Sequence, residues 1–204
     1  MEPELSRQLD RLGSSTGATF FMVRLALFAA QLAVETDRED VVLGMYVTNR
    51  RLTELQAMFG DFTNLATLRL RLRGNPGFRD WLRQVRAAVV TTSEHVEMPY
   101  DLVCEKLAAE GLAAPEIRAV FGRVHAVPPL RFAGLEVQPL PTPMQVAPTG
   151  FTFSVDRFYE TDRCYVYFDS GSYEPAAVEG LVERYKRLAR AVCANPDAGL
   201  RELA

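Results

Sequence analysis

The most constraining feature of the sequence is the apolar run at residues 20–34, which is interrupted only by Arg24 and Gln31. The run is shorter than the roughly 20 residues that a bilayer-spanning helix needs. Thr19 precedes it directly and is a residue type that caps helix N-termini. The run therefore predicts a buried core helix over about residues 19–36, and no membrane association.

Several segments have the patterns of strands. Leu68, Leu70 and Leu72 alternate with three arginines, which is the period of a strand with one buried and one solvated face. Two alternating segments around a polar turn at 160–163 predict a hairpin. Strands are predicted at 41–47, 66–73, 117–126, 151–156 and 164–168.

The segments between these strands favour helices. Helices are predicted at 3–13, at 51–59 as a short one, at 77–93, at 99–110, and from Pro175 to the stop signal at Asn195 and Pro196. Cys104 lies in an amphipathic pattern and is predicted to be a core residue. The sum is an α/β protein, residues 1–204 as a single domain, with helices packed on a mixed sheet.

Composition and motifs exclude several classes of function. The net charge of −3 gives no reason to expect a nucleic-acid partner. The three cysteines are far apart and form no CxxC, so we expect no metal site and a reducing, cytoplasmic location. The polar residues 1–10 do not resemble a signal peptide. His95 and His125 lie in no recognised catalytic motif, and surface or structural roles are favoured for both.

The most unusual local string is Phe-Gly-Asp-Phe-Thr-Asn at 59–64, directly before the arginine-rich strand. Gly60 permits a tight backbone turn, and Asp61, Thr63 and Asn64 carry hydrogen-bonding side chains. The favoured interpretation is turn chemistry, in which these side chains bond the nearby backbone. The alternative is a set of polar groups that line a cleft at a strand end.

Six strings in order resemble the C-terminal half of a condensation domain of nonribosomal peptide synthetases, in the chloramphenicol-acetyltransferase-like superfamily. The strings are GATFFMVRLALFAAQL (17–32), REDVVLGMYVTNR (38–50), FGDFTNLATLRLRL (59–72), EHVEMPYDLVCEKL (94–107), FAGLEVQPLP (132–141) and NPDAGLREL (195–203). The resemblance implies a chloramphenicol-acetyltransferase-like α/β lobe with a mixed sheet. It also places Gly60, Phe62 and Asn64 as candidates for a pantetheine tunnel, and Asp61, Thr63 and Asn64 as candidate catalytic residues.

The implied activity is amide-bond formation between carrier-bound acyl and aminoacyl thioesters in bacterial natural-product biosynthesis. The implied partners are peptidyl carrier proteins, whose phosphopantetheine arms bring the substrates, so the chain itself is expected to bind no cofactor. The family's HHxxxDG motif lies in a first lobe that this sequence lacks, so the chain is expected to be inactive alone. That lobe would come from the same parent chain or another polypeptide, and a homodimer is a further possibility.

Two alternatives remain open. The chain could be a non-catalytic module for carrier docking or scaffolding. It could also be a heterocyclization-type lobe, because the string GDFT at 60–63 is similar to that branch of the family, with Asp61 and Thr63 near the thioester. The proline-rich stretch 127–149 resembles the crossover segment that reaches the first lobe like a latch.

Overall fold

The computed structural model describes residues 1–50, 52–123, 132–135, 150–158 and 161–203. The helices are α1 (Pro3–Thr16), α2 (Phe20–Glu35), α3 (Thr53–Gln56), α4 (Phe78–Glu94), α5 (Tyr100–Ala109), α6 (Pro175–Ala194) and α7 (Leu200–Leu203). The strands are β1 (Asp40–Thr48), β2 (Thr63–Arg71), β3 (Val120–Gly122), β4 (Phe151–Phe158) and β5 (Thr161–Phe168).

The described strands form one five-stranded sheet in the order β2-β1-β3-β4-β5. Both edge pairs, β1 with β2 and β4 with β5, are antiparallel, while β3 is parallel to β1 and β4. The predicted mixed sheet is therefore confirmed. Because β2 runs antiparallel to β1, β2 starts at the end of the sheet where β1, β3 and β4 finish.

One face of the sheet carries the hydrophobic core, and α2 lies at its centre with α1, α4 and α6 packed around it. The Thr19 hydroxyl accepts a hydrogen bond from the Met22 N–H at 3.3 Å, which caps α2 as predicted. The indole N–H of Trp81 donates to the carbonyl of Ala26 at 2.9 Å. Its polar atom is thus satisfied while the ring fills the core.

The two polar residues that interrupt α2 are both buried, and both find partners. Arg24 donates to the Asp162 carboxylate at 2.7 and 2.9 Å and to Asp10 at 2.7 Å. The side-chain amide of Gln31 donates to the Leu181 carbonyl at 2.9 Å. Buried charges persist where they are paired and hydrogen-bonded, so these interruptions tie α2 to β5, α1 and α6.

Within the described residues, no single helix is long and apolar enough to cross a bilayer. Taken together, α1 and α2 would meet that length and composition, but they are bent by 102° against each other.

The alternating pattern of β2 is confirmed, with Leu68, Leu70 and Leu72 buried and their arginine neighbours solvated. Three other predictions need correction. Cys104 is only half-buried, and none of the residues of α5 is buried. Of the strand predicted at 117–126, the structure describes residues 117–123, and within them β3 covers Val120–Gly122. Of the short helix predicted at 51–59, the described residues 52–59 form a helix over Thr53–Gln56.

The hairpin is also longer than predicted. The sequence pattern predicts a turn at 160–163, but Arg163 pairs in register with Asp156, and Asp162 pairs with Arg157. Most of the proline-rich stretch 127–149 lies outside the described residues, as does His125, and only 132–135 of that stretch are described.

Candidate functional site

The candidate site begins at the end of the sheet where β1 finishes and β2 starts, around residues 59–64. Arg50 organises this loop from within. Its guanidinium donates to the carbonyls of Leu55 and Met58, the latter at 2.7 Å, and to that of Gly60 at 2.7 Å. It also lies 4.2 Å from the centre of the Phe62 ring, within the range of a cation–π contact. One arginine therefore fixes the course of the loop.

Asp61 and Thr63 form a local turn. The Asp61 carboxylate accepts a hydrogen bond from the Thr63 N–H at 2.8 Å, and both side chains are exposed. This hydrogen bond lowers the pKa of Asp61 below its usual value of 3.8, since it favours the charged form. The turn chemistry expected for Asp61 is therefore present, and it occupies the carboxylate.

Asn64 has a different role in the structure. Its amide N–H₂ donates to the carbonyls of Val96 and Met98 at 2.7 and 3.2 Å, across the segment between α4 and α5. Its side-chain oxygen accepts from the Leu65 N–H at 2.9 Å. Asn64 shares the core side of β2 with Ala66 by alternation, whereas Thr63 points to the opposite side. The structure thus separates two of the predicted site residues onto opposite faces.

The face opposite the core, here called the second face, carries polar residues that the sequence analysis did not single out. Thr152, Ser154 and Asp156 alternate along β4 with the core phenylalanines, yet they are only 6%, 5% and 4% exposed. Within the described part of the chain, Asp156 has no ion pair or hydrogen bond through its side chain. Burying a polar side chain costs free energy unless the group is hydrogen-bonded. This row is therefore a candidate for a functional role.

A glycine shapes the second face beside this row. A Cβ on Gly122 would lie 2.7 Å from the Ser154 hydroxyl and 3.8 Å from the ring of Tyr46. Only a glycine lets these two side chains approach so closely over β3. The sequence signal was available, because a glycine within an apolar strand often marks a close approach.

The predicted residues and the second-face row do not form one cluster. Ser154 is three strands from β2, so it lies roughly 14 Å from the strand that carries Thr63 and Asn64. His95 caps the C-terminus of α4 on the surface, in line with its predicted place at a helix end. Across the residues that the structure describes, no three His, Cys, Asp or Glu side chains could hold a metal ion.

Comparison with known proteins identifies the family. The model of the condensation domain family matches residues 1–204, so the chain belongs to this family. Phosphinothricin tripeptide synthetase PhsC of Streptomyces viridochromogenes is 30% identical over 95% of this chain and 18% of its own length. Such homologues are condensation domains of nonribosomal peptide synthetases.

Solved structures confirm the fold. The first condensation domain of the CDA synthetase aligns with a TM-score of 0.80 at 24% identity, over 99% of this chain and 46% of that one. The X-domain in a complex with OxyB from teicoplanin biosynthesis aligns with a TM-score of 0.81 at 18% identity, over 100% and 46%. The chain spans about half of these structures, and only 3% of large relatives such as a linear gramicidin synthase subunit of Brevibacillus parabrevis.

Proposed function

We propose that this chain acts as the C-terminal half of a condensation domain and contributes to amide-bond formation between carrier-bound thioesters. The observation that carries the proposal is the match of the condensation family over residues 1–204, together with the coverage of only 46% of a solved condensation domain. The partners we propose are peptidyl carrier proteins and a histidine-bearing first lobe, supplied by the same parent chain or by another polypeptide in the cytoplasm.

In the proposed reaction, the acceptor amine attacks the carbonyl carbon of the donor thioester. The C–N bond forms, the C–S bond breaks, and the thiol of the donor arm leaves with the proton that the amine loses. The first lobe supplies the histidine of HHxxxDG, and this chain positions the reactants. Holding two reactants in an aligned geometry removes much of the entropic barrier to their reaction.

We assign that positioning to the second face and to the loop at 59–64. Ser154 and Asp156 are buried polar groups on the second face that would orient an amine or a carbonyl away from water. Phe62 and Gly60 are held in the loop by Arg50, and Asn64 is held by its backbone partners. These three residues would therefore shape a tunnel for the phosphopantetheine arm rather than bind the arm through free polar groups.

A second candidate is a non-catalytic docking module. It is supported by the X-domain of teicoplanin biosynthesis, which has a similar fold and whose solved structure is a complex with OxyB. A heterocyclization role for Asp61 and Thr63 has weaker support, because the Asp61 carboxylate is engaged in a turn with Thr63.

The test is reconstitution with a first lobe that carries HHxxxDG, an acyl-loaded donor carrier and an aminoacyl-loaded acceptor carrier. The proposal expects the amide product, detected by mass spectrometry of the acceptor carrier, only when both halves are present. A product formed at the same rate without this chain would contradict the proposal. Carrier binding without any product would support the docking module instead.

A further inference from the structure

A cavity of about 310 Å³ lies on the core side of the sheet, near the ends of β3 and β4. Its walls include Asp10 and Ser14 of α1, Phe20 at the start of α2, Arg123 directly after β3, and Arg157 of β4. Arg123 and Arg157 reach it because each follows the strand alternation that also points Phe121 and Phe153 into the core. The volume is in the range of small-molecule sites.

Three guanidinium groups surround one aromatic ring at this cavity. The central carbons of Arg24, Arg157 and Arg123 lie 4.2, 4.9 and 5.3 Å from the centre of the Phe20 ring. Packing the stems and heads of several arginines on one ring orders them before any ligand arrives.

The charges of this cluster do not balance. Arg24 and Arg157 are neutralised by Asp10 and Asp162, with which both form ion pairs at 2.7 to 2.9 Å. Arg123 is exposed, and within the described ranges it has no carboxylate partner. Among the described residues, two carboxylates therefore face three guanidinium groups, and Arg123 is the one left without a paired carboxylate.

The cavity lies between the end of α1 and the start of α2, since Gly13 and Ser14 of the last turn of α1 and Phe20 of α2 line it. The opposite dipole ends of these two helices offset each other there, so the charge of the cavity depends on its side chains. Both carboxylate oxygens of Asp10 already accept hydrogen bonds from Arg24 or Arg157.

We propose that this cavity binds a phosphate group, with Arg123 as its principal ligand and Arg157 at its side. A guanidinium group presents two parallel N–H donors, which match two oxygens of a phosphate. The phosphate could be a free small-molecule phosphate or the phosphate ester of a pantetheine arm. The site is separate from the proposed substrate cleft and does not depend on the chain's role in condensation.

The test is a titration of the protein with inorganic phosphate at constant ionic strength, followed by the backbone amide NMR signals of Gly13, Ser14 and Ala18. We expect saturable shifts that chloride does not produce. Arg123→Gln should weaken phosphate binding about tenfold, the loss typical of a charged hydrogen-bonding partner. Arg123→Lys should retain part of the affinity because it keeps the charge.

The matched control is Arg73→Gln, which removes the same charge from an exposed position on the other side of the sheet. It should leave phosphate binding unchanged. Equal weakening by both variants, or shifts that chloride reproduces, would overturn the proposal. A second titration, with phosphopantetheine, separates the two sources of phosphate. An affinity equal to that for inorganic phosphate indicates that the phosphate group alone is recognised. Tighter binding than inorganic phosphate, still dependent on Arg123, indicates a pantetheine arm.

Discussion

The guanidinium of Arg24 donates two hydrogen bonds to the same carboxylate oxygen of Asp162, from Nε at 2.9 Å and from Nη2 at 2.7 Å, and both side chains are fully buried. This pair joins the central helix α2 to the edge strand β5 across 138 positions of sequence. The amino group of Met1 also donates to the Asp162 carbonyl. The β4–β5 hairpin is therefore fastened to the helical layer by charge as well as by apolar packing.

We predict that Arg24→Met destabilises the fold strongly. The change leaves the Asp162 carboxylate buried with one partner fewer, which costs about 3–5 kcal/mol of unfolding free energy. Urea denaturation measures the loss. Lys186→Ala, which removes an exposed i,i+3 ion pair with Glu183, is the matched control and should cause no measurable change. If Arg24→Met and Lys186→Ala were equally stable, the buried Arg24–Asp162 pair would not stabilise the fold.

A second prediction concerns the close approach over Gly122. Gly122→Ala places a methyl group 2.7 Å from the Ser154 hydroxyl, which should cost about 1–3 kcal/mol. Because the Ser154 Cβ would be 3.7 Å from the new methyl, adding Ser154→Ala should restore most of the lost stability. A double-mutant cycle by thermal denaturation measures this coupling. Additive effects of the two changes would contradict the contact.

Asn64 should matter for local structure more than Asp61. Asn64→Ala removes the hydrogen bonds to the Val96 and Met98 carbonyls and should cost about 1–2 kcal/mol. Hydrogen exchange should accelerate in residues 95–100. Asp61→Ala is the control at the same loop and should leave that exchange unchanged, since the hydrogen bond that Asp61 makes among the described residues is to the Thr63 N–H of its own turn. If the segment loosened equally in both variants, the assignment of Asn64 as its anchor would be wrong.

The Asp61 turn gives a pH prediction. Because the hydrogen bond from Thr63 lowers the pKa of Asp61 in the folded state, its contribution to stability is present above the ordinary value of 3.8 and is lost as the pH falls through the lowered pKa. An NMR titration of the Asp61 carboxyl carbon should have a midpoint below 3.8. A midpoint at or above that value would contradict the turn.

The cysteines should differ in reactivity. Burial raises the pKa of Cys164 and of Cys193 to about 11, so each of these thiols is ionised in roughly one molecule in a thousand at pH 8. Cys104 lies on α5, which has no buried residue. Alkylation of the native protein at pH 8, read by peptide mass spectrometry, should therefore modify Cys104 first. Earlier modification of Cys164 would indicate that the β4–β5 hairpin opens.

The layered fold could be predicted from the sequence because its signals are local. The alternation of Leu68, Leu70 and Leu72 and the Thr19 cap each depend on neighbouring residues, and the structure confirms both. The amphipathic pattern of α5 predicts a core position for Cys104, but α5 packs beside β2 without burying any of its residues. Periodicity identifies the more apolar side of a helix, but it does not say whether another element covers that side.

The candidate site was harder to predict because its geometry is long-range. Strand alternation placed Ser154 and Asp156 on the polar side of β4, and polar residues on one side of a strand usually face solvent. Only the tertiary structure shows that this side is buried. Likewise, the Asn64 amide finds its partners 32 and 34 residues away, a distance over which local patterns carry no information.

Native mass spectrometry of the protein, purified gently from its own source, would show whether this chain works as one half of a condensation domain. We expect the 204 residues to be found together with a polypeptide that contains HHxxxDG, either in a complex or within one larger chain. A species of 22.8 kDa, or a homodimer of it, with no such polypeptide would contradict this expectation and favour a docking module.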